Sequence, residues 1–441
     1  MIKLHYIFTI FLIVTLFLPL SFLSKKLSYF RFDFFIQVIA LIFIYFIFDI
    51  YTDLYLNIIV WLFVIYLSWS IQFSANTWEW FFLFIFIYIA LYLYLIGFIS
   101  NFLGLFILLE AQVIVFLMLT QLENNSIINI EAIARWCLIN IVSSLFLIFS
   151  LGLLYQLYGT INIVDLLILD IFTNENEKLA LILFYSSFLF KIGIPPFHFW
   201  LPDIYETGNV LLVSTLIAPI KLFYIMILQF FVILNNDFNF IFLLLGFVSI
   251  LIGLLITLNQ FIIKKFLAWT GIFYFGSFLI LLANLNIENI FYLKIYMIIY
   301  LFSSLIFILM TQINVYKLSD IINVFSDNFR IGFFFLSLLI IIMGLPIMAG
   351  FYSKLSFFFN LILSTNSFIL VLLILILTSF AGFYYLNLYI YSLSFKYLLS
   401  DFNLIESINT RFNLMFYIVL MFIFFLTFYP YQLSCIFLYL V

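Results

Sequence analysis

The sequence predicts an all-α protein that crosses a membrane many times. Three observations carry that reading. Of 441 residues, 68% are hydrophobic and 8% are charged, and the mean hydropathy is +1.34; a soluble domain carries about 25% charged residues to cover its surface. The apolar residues fall in runs of about 20 or more, the length that spans a bilayer as a helix, without the period-2 alternation of a barrel strand. Within a bilayer every backbone polar group must be paired inside the protein, which leaves the helix as the structure for such runs.

Taken in order, about fourteen spans are expected. They lie near 4–23, 34–51, 54–75, 78–99, 101–121, 131–158, 179–199, 210–234, 238–258, 263–285, 291–315, 331–359, 367–394 and 412–438. The first run, MIKLHYIFTIFLIVTLFLPLSFL, reads as a span rather than a signal peptide: it is long enough to cross, no small-residue cleavage site follows, and more spans come after it. The seventh holds Pro195 and Pro196, and the twelfth holds Gly344, Pro346 and Gly350. Proline removes a backbone donor, so both are expected to be broken helices. Spans 4–8 and 9–13 can be laid over each other, with the two breaks in register. Because five helices is an odd number, the units would be inverted relative to each other, a recurring transporter design. The expected organisation is a three-helix segment (1–75), two five-helix units (76–236 and 237–395) and a last helix (396–441).

Loop charges set the orientation. Lys25, Lys26, Arg31, Arg135, Lys264, Lys265, Lys317, Arg330, Lys396 and Arg411 flank one side, against Lys3, Lys178 and Lys294 on the other. Positive residues stay on the matrix or cytoplasmic side, so the N-terminus is expected on the opposite one. The 65 phenylalanines, with abundant Ile, Leu, Tyr and Asn, indicate an AT-biased genome. With no Arg-rich presequence, that favours an organelle-encoded inner-membrane protein over one from an AT-rich bacterium.

Four ionisable residues remain deep in spans: Glu110, Lys191, Lys221 and Lys354. A lysine at a membrane helix centre costs roughly 2.5–3.5 kcal/mol on insertion scales and is by default a functional-site candidate. Lys191 stands just before the Pro195–Pro196 break, Lys221 two residues after Pro219, and Lys354 eight after Pro346. Desolvation loosens a lysine's hold on its proton and a nearby carboxylate restores it. A lysine with a removable partner can therefore load and unload a proton. In that reading Glu110 pairs with Lys191, Lys221 is the next acceptor, Lys354 leads outward, and His198 is an added relay member. The plainer alternatives are snorkelling lysines at helix ends, a Glu110–lysine pair that only pins two helices, and a His198 hydrogen-bonded to backbone.

Other chemistry is excluded or delegated. Cys137 and Cys435 are isolated, with no metal-ligand spacing. There is no glycine-rich phosphate loop and no basic tail for nucleic acid. No cofactor is expected in this chain, and any redox or nucleotide chemistry belongs to another.

At this point the residues resemble a known family. KIGIPPFHFWLPDIYE, from Lys191 to Glu206, is similar to the signature K-L-G-x-x-P-F-H-x-W-x-P-D-V-Y, with a second lysine thirty positions after the first. That signature belongs to the subunit 2 type of the antiporter-like membrane subunits of respiratory NADH:ubiquinone oxidoreductase (complex I), relatives of multi-subunit Na+/H+ antiporters. EAIARWCLINIVSSLFLIFSLGLLYQLYGTINI (Glu131–Ile163), NQFIIKKFLAWTGI (Asn259–Ile272), GLPIMAGFYSKLSFF (Gly344–Phe358) and AGFYYLNLYIY (Ala381–Tyr391) resemble further blocks, in order. Subunit 4 and subunit 5 types carry a second histidine where Tyr205 stands, and the subunit 4 type carries glutamate where Lys354 stands.

The resemblance implies fourteen helices and a proton path on the same four residues: the channel carboxylate Glu110, its partner Lys191, the central Lys221, and Lys354 in the second broken helix. It implies that NADH, FMN, iron–sulfur clusters and ubiquinone are bound by other subunits. The expected neighbours are the subunit 4 and subunit 4L types with lipid, in the mitochondrial inner membrane. The chain departs from the pattern at Thr207-Gly208-Asn209, which lacks the family's proline, at Trp269-Thr270-Gly271, which loses hydroxyls, and at Ile347, which replaces a second proline. A Na+/H+ antiporter subunit and a non-conducting scaffold are the competing functions.

Overall fold

The computed structural model describes residues 102–120, 127–162, 175–208, 219–232 and 238–283, with single positions at 213, 216, 217, 290, 293, 296, 297, 300, 354 and 358. All of them belong to one compact unit of the chain, Asp53–Val441. The described residues form helices α1 (Phe102–Thr120), α2 (Ile127–Tyr158), α3 (Glu175–Ile192), α4 (Trp200–Thr207), α5 (Pro219–Val232), α6 (Asn239–Thr257) and α7 (Ile263–Ala283). These correspond to expected spans five to ten. The first four spans, the last two, the body of spans eleven and twelve, and therefore the second break lie outside the described residues.

The helix boundaries differ from the sequence expectation most clearly in two places. Helix α2 starts at Ile127 rather than 131 and runs for 32 residues. At 1.5 Å per residue that is about 48 Å, longer than the roughly 30 Å hydrocarbon core. The seventh span does not end at 199. It stops at Ile192 and resumes as α4, which carries Asp203 and Glu206 on helical backbone.

Gly193, rather than the prolines, terminates α3. Its φ is +79°, in the left-handed region where glycine carries no Cβ penalty. Its N–H donates to the carbonyl of Phe190 at 3.2 Å, and the Ile194 N–H reaches back to Leu189 at 3.2 Å. Those two bonds are the Schellman pattern of a helix C-terminus. The Pro195–Pro196 bond that follows is cis. The sequence expectation placed the opening on the missing proline donors; the helix has already ended two residues earlier.

Helix α7 is the centre of the described region: every residue from Phe266 to Ala283 is buried. It packs against α6 through small residues. A Cβ on Gly276 would lie 1.9 Å from Ser249 Oγ and 2.9 Å from the Gly246 carbonyl, and one on Gly253 would lie 2.9 Å from the Phe273 nitrogen. Such contacts let helix backbones approach closely where lipid supplies no hydrophobic drive. Hydroxyls in this apolar setting are satisfied within their own helix: Ser249, Thr257 and Ser277 donate to carbonyls three residues back at 2.6–2.7 Å.

Candidate functional site

The site is built where α1, α3, α5 and α7 come together. Glu110 lies midway along α1, and Lys191 is the penultimate residue of α3, held there by the Gly193 stop. Lys191 Nζ stands 3.5 Å from Glu110 Oε1. The pair is asymmetric: the lysine side chain is 2% exposed and the carboxylate side chain 34%. The lysine is thus the desolvated member, and the carboxylate retains room to exchange partners. Charges in such surroundings interact far more strongly than in water, and removing one member leaves the other costly.

Lys221 is placed differently. It is 1% exposed, and among the described residues its Nζ has no hydrogen-bond partner. Two aromatic rings flank it, Tyr205 with its centroid 5.3 Å away and Phe275 at 5.2 Å, within the range of a cation–π contact. Tyr205 also donates its hydroxyl to the Leu216 carbonyl at 2.9 Å, and Tyr300 donates to the Ile217 carbonyl at 3.0 Å. Those successive carbonyls lie just before Pro219. Two phenols therefore staple the chain at the entry to α5, and one of them faces the lysine.

His198 lies in the connection between α3 and α4. It is buried and lies within hydrogen-bonding reach of the Pro196 backbone, the plainer alternative named for it above. Its ring packs against Phe199 at 4.4 Å and Trp269 at 5.3 Å between centroids. Lys354 is on helical backbone and half-buried. The structure thus brings together one predicted pair, Glu110 and Lys191, and encloses Lys221 and His198 without an ion pair to it.

A polar collar surrounds the short helix α4. Arg135 Nη1 lies 2.6 Å from Asp203 Oδ2, and its Nη2 lies 2.5 Å from Glu131 Oε1, one turn back on α2. Lys265 Nζ meets Glu206 at 2.7 Å, and Lys264 donates to the Gly208 carbonyl at 2.7 Å. Three positive residues that the charge count puts on one side of the membrane thus converge on the short helix α4. Sequence reading assigned them to loops and missed their partners. It also missed Glu177, buried in the first turn of α3 and lying against Tyr158. The run Asn174–Lys178 reads as a solvated loop, and nothing in its composition distinguishes the middle acid. Among the described residues no cluster of His, Cys, Asp and Glu could hold a metal ion.

Subunit N of NADH-quinone oxidoreductase from Francisella tularensis subsp. holarctica is 27% identical over 280 residues, covering 59% of this chain and 57% of the relative. Chain 2 of NADH-ubiquinone oxidoreductase from Dictyostelium discoideum is 26% identical over 304 residues, covering 65% of this chain and 62% of the relative. The matched stretch thus spans less than two thirds of either relative's own length. Among solved structures, a chain of respiratory complex I from Thermus thermophilus superposes with a TM-score of 0.77 at 18% identity, covering 94% of this chain and 95% of that one. A chain of the Mrp complex from Dietzia sp. gives 0.68 at 14% identity, covering 82% and 73%. At those identities the likeness is one of fold. Residues 100–381 match the family described as NADH:quinone oxidoreductase/Mrp antiporter, TM, and so include Glu110, Lys191, His198, Lys221 and Lys354. With well over half its length matched, the chain belongs to the NADH:quinone oxidoreductase/Mrp antiporter transmembrane family.

Proposed function

We propose that this chain is a proton-translocating membrane-arm subunit of an NADH:ubiquinone oxidoreductase, of the subunit N or chain 2 type. The observation that carries the reading is the contrast between two buried lysines: Lys191 paired with Glu110 at 3.5 Å, and Lys221 enclosed with no hydrogen-bond partner among the described residues. When Glu110 moves away, the ammonium of Lys191 is left in an apolar site and its proton passes towards Lys221. When the carboxylate returns, Lys191 takes up a proton again. Lys354 carries the proton onward and His198 joins the path. Electron transfer from NADH to quinone belongs to other subunits, with their FMN and iron–sulfur clusters.

The same reading gives the chain about fourteen membrane helices, with spans 4–8 and 9–13 as inverted five-helix units, and neighbours of the subunit 4 and subunit 4L types. The composition, with 65 phenylalanines and abundant Ile, Leu, Tyr and Asn, favours the mitochondrial inner membrane, and the loop charges put the N-terminus in the intermembrane space. The family also includes Mrp antiporters, and that supports a second reading as a Na+/H+ antiporter subunit. One experiment separates the two. Native membranes are solubilised gently, complexes are resolved on a native gel and stained for NADH oxidation, and the active band is searched for peptides of this chain. Their presence supports the oxidoreductase reading. An active band without them, with the peptides in a smaller assembly, overturns it.

A further inference from the structure

The relay needs a link between the Glu110–Lys191 pair and Lys221, and three observations meet on one residue, Tyr224. Its hydroxyl donates to Oε1 of Gln112 at 3.3 Å, and both residues are buried. Gln112 stands two positions after Glu110 on α1, and Tyr224 stands three after Lys221 on α5, on the same helical face. The Tyr224 ring packs edge-on against Phe188, with centroids 6.0 Å apart. Phe188 stands three residues before Lys191 on α3, again on the lysine's face. Tyr224 also lies within electrostatic reach of Glu110. One side chain therefore touches the helices of Glu110 and of Lys191 while sharing a face with Lys221. A phenylalanine would keep the ring contact, so the hydroxyl and the buried amide are the part that packing does not explain.

We propose that the Tyr224–Gln112 hydrogen bond is the coupling element between the Glu110–Lys191 pair and Lys221. Tyr224 is a positioning residue: its hydroxyl fixes α5 against α1, so that a displacement of Glu110 is felt at Lys221. The inference rests on the proton-translocation reading above.

The test uses the assembled complex in closed membrane vesicles and reads protons moved per electron, with complex content measured on native gels. Tyr224→Phe deletes the hydroxyl and keeps the ring. Gln112→Leu deletes the acceptor and leaves Tyr224 in place. Gln112→Glu keeps an acceptor oxygen. The inference predicts that Tyr224→Phe and Gln112→Leu each lower protons per electron about two- to tenfold, the range one lost hydrogen bond spans. The double variant is no worse than either alone, and Gln112→Glu recovers most of the loss. A contact that serves packing alone would lower the amount of complex and leave the ratio unchanged, and that result overturns the inference. If Tyr224→Phe does not assemble, Gln112→Leu decides, because it spares the Phe188 contact. Lys221→Met separates this from failure of the underlying reading. Full transport by Lys221→Met sinks the relay itself. Loss there with an unchanged ratio in Tyr224→Phe sinks only the role of Tyr224.

Discussion

Lys191 and Glu110 form a pair in which the lysine is almost fully enclosed and the carboxylate is one-third exposed, at 3.5 Å. The carboxylate is thus the less enclosed partner. Glu110→Gln keeps the shape and removes the counter-charge. It is expected to lower proton transport at least about tenfold, as loss of a buried charge partner removes more than 1.4 kcal/mol. Assembly is retained, because the lysine can shed its own charge. Vesicle acidification with native-gel quantitation checks both parts.

The end of α3 is set by Gly193. A Cβ there would lie 2.6 Å from Leu201 Cδ1, on backbone with φ of +79°. Gly193→Ala is therefore expected to destabilise the break by about 1–3 kcal/mol and to disturb Lys191, two residues away. Gly152→Ala is the control, since a Cβ there meets nothing within 4 Å and alanine is favoured in helices by up to about 1 kcal/mol. Thermal midpoints of the purified complex should fall for the first and hold or rise for the second.

Helix α6 packs on α7 with no space for a side chain at Gly276, where a Cβ would lie 1.9 Å from Ser249 Oγ. Gly276→Ala forces the helices apart at a cost of about 1–3 kcal/mol. The shared Ser249 contact makes the double variant Gly276→Ala with Ser249→Ala less damaging than the sum of the two singles. Complex yield on native gels reads this coupling.

The collar around α4 is expected to matter more for geometry than for stability. Arg135 and Asp203 are 54% and 32% exposed, and exposed ion pairs contribute about 0–1 kcal/mol. Asp203→Asn should therefore leave the thermal midpoint nearly unchanged. The charge swap Arg135→Asp with Asp203→Arg should recover any loss of transport seen in Arg135→Asp alone, which a double-mutant cycle measures.

Much of this site was legible in the sequence, because membrane burial makes charge conspicuous. Against 68% hydrophobic residues, Glu110, Lys191 and Lys221 identify themselves, and the structure pairs the first two. The helical reading of spans five, six, nine and ten held within four residues for the same reason. The break was misattributed because proline is a louder signal than glycine: Pro195–Pro196 marks the region, while Gly193 ends the helix. Tyr205 stood out only as a departure from a histidine, and Tyr224 and Tyr300 were invisible among 29 tyrosines, since their hydroxyls are distinguished only by the carbonyl or amide each one meets. The partners of Arg135, Lys264 and Lys265 were hidden because α4 brings Asp203, Glu206 and Gly208 to them from across a break.

The central claim is that Lys221 carries a proton. It is most directly tested by Lys221→Met, with NADH oxidation and proton uptake measured together in closed vesicles. Methionine has a similar volume and removes a buried charge that has no ion-pair partner among the described residues, so the complex should assemble with undiminished thermal stability. The account predicts that this complex moves few or no protons through this subunit, seen as a lowered proton-to-electron ratio or as electron transfer slowed with it. An assembled Lys221→Met complex that oxidises NADH at the normal rate with the full proton-to-electron ratio would contradict it.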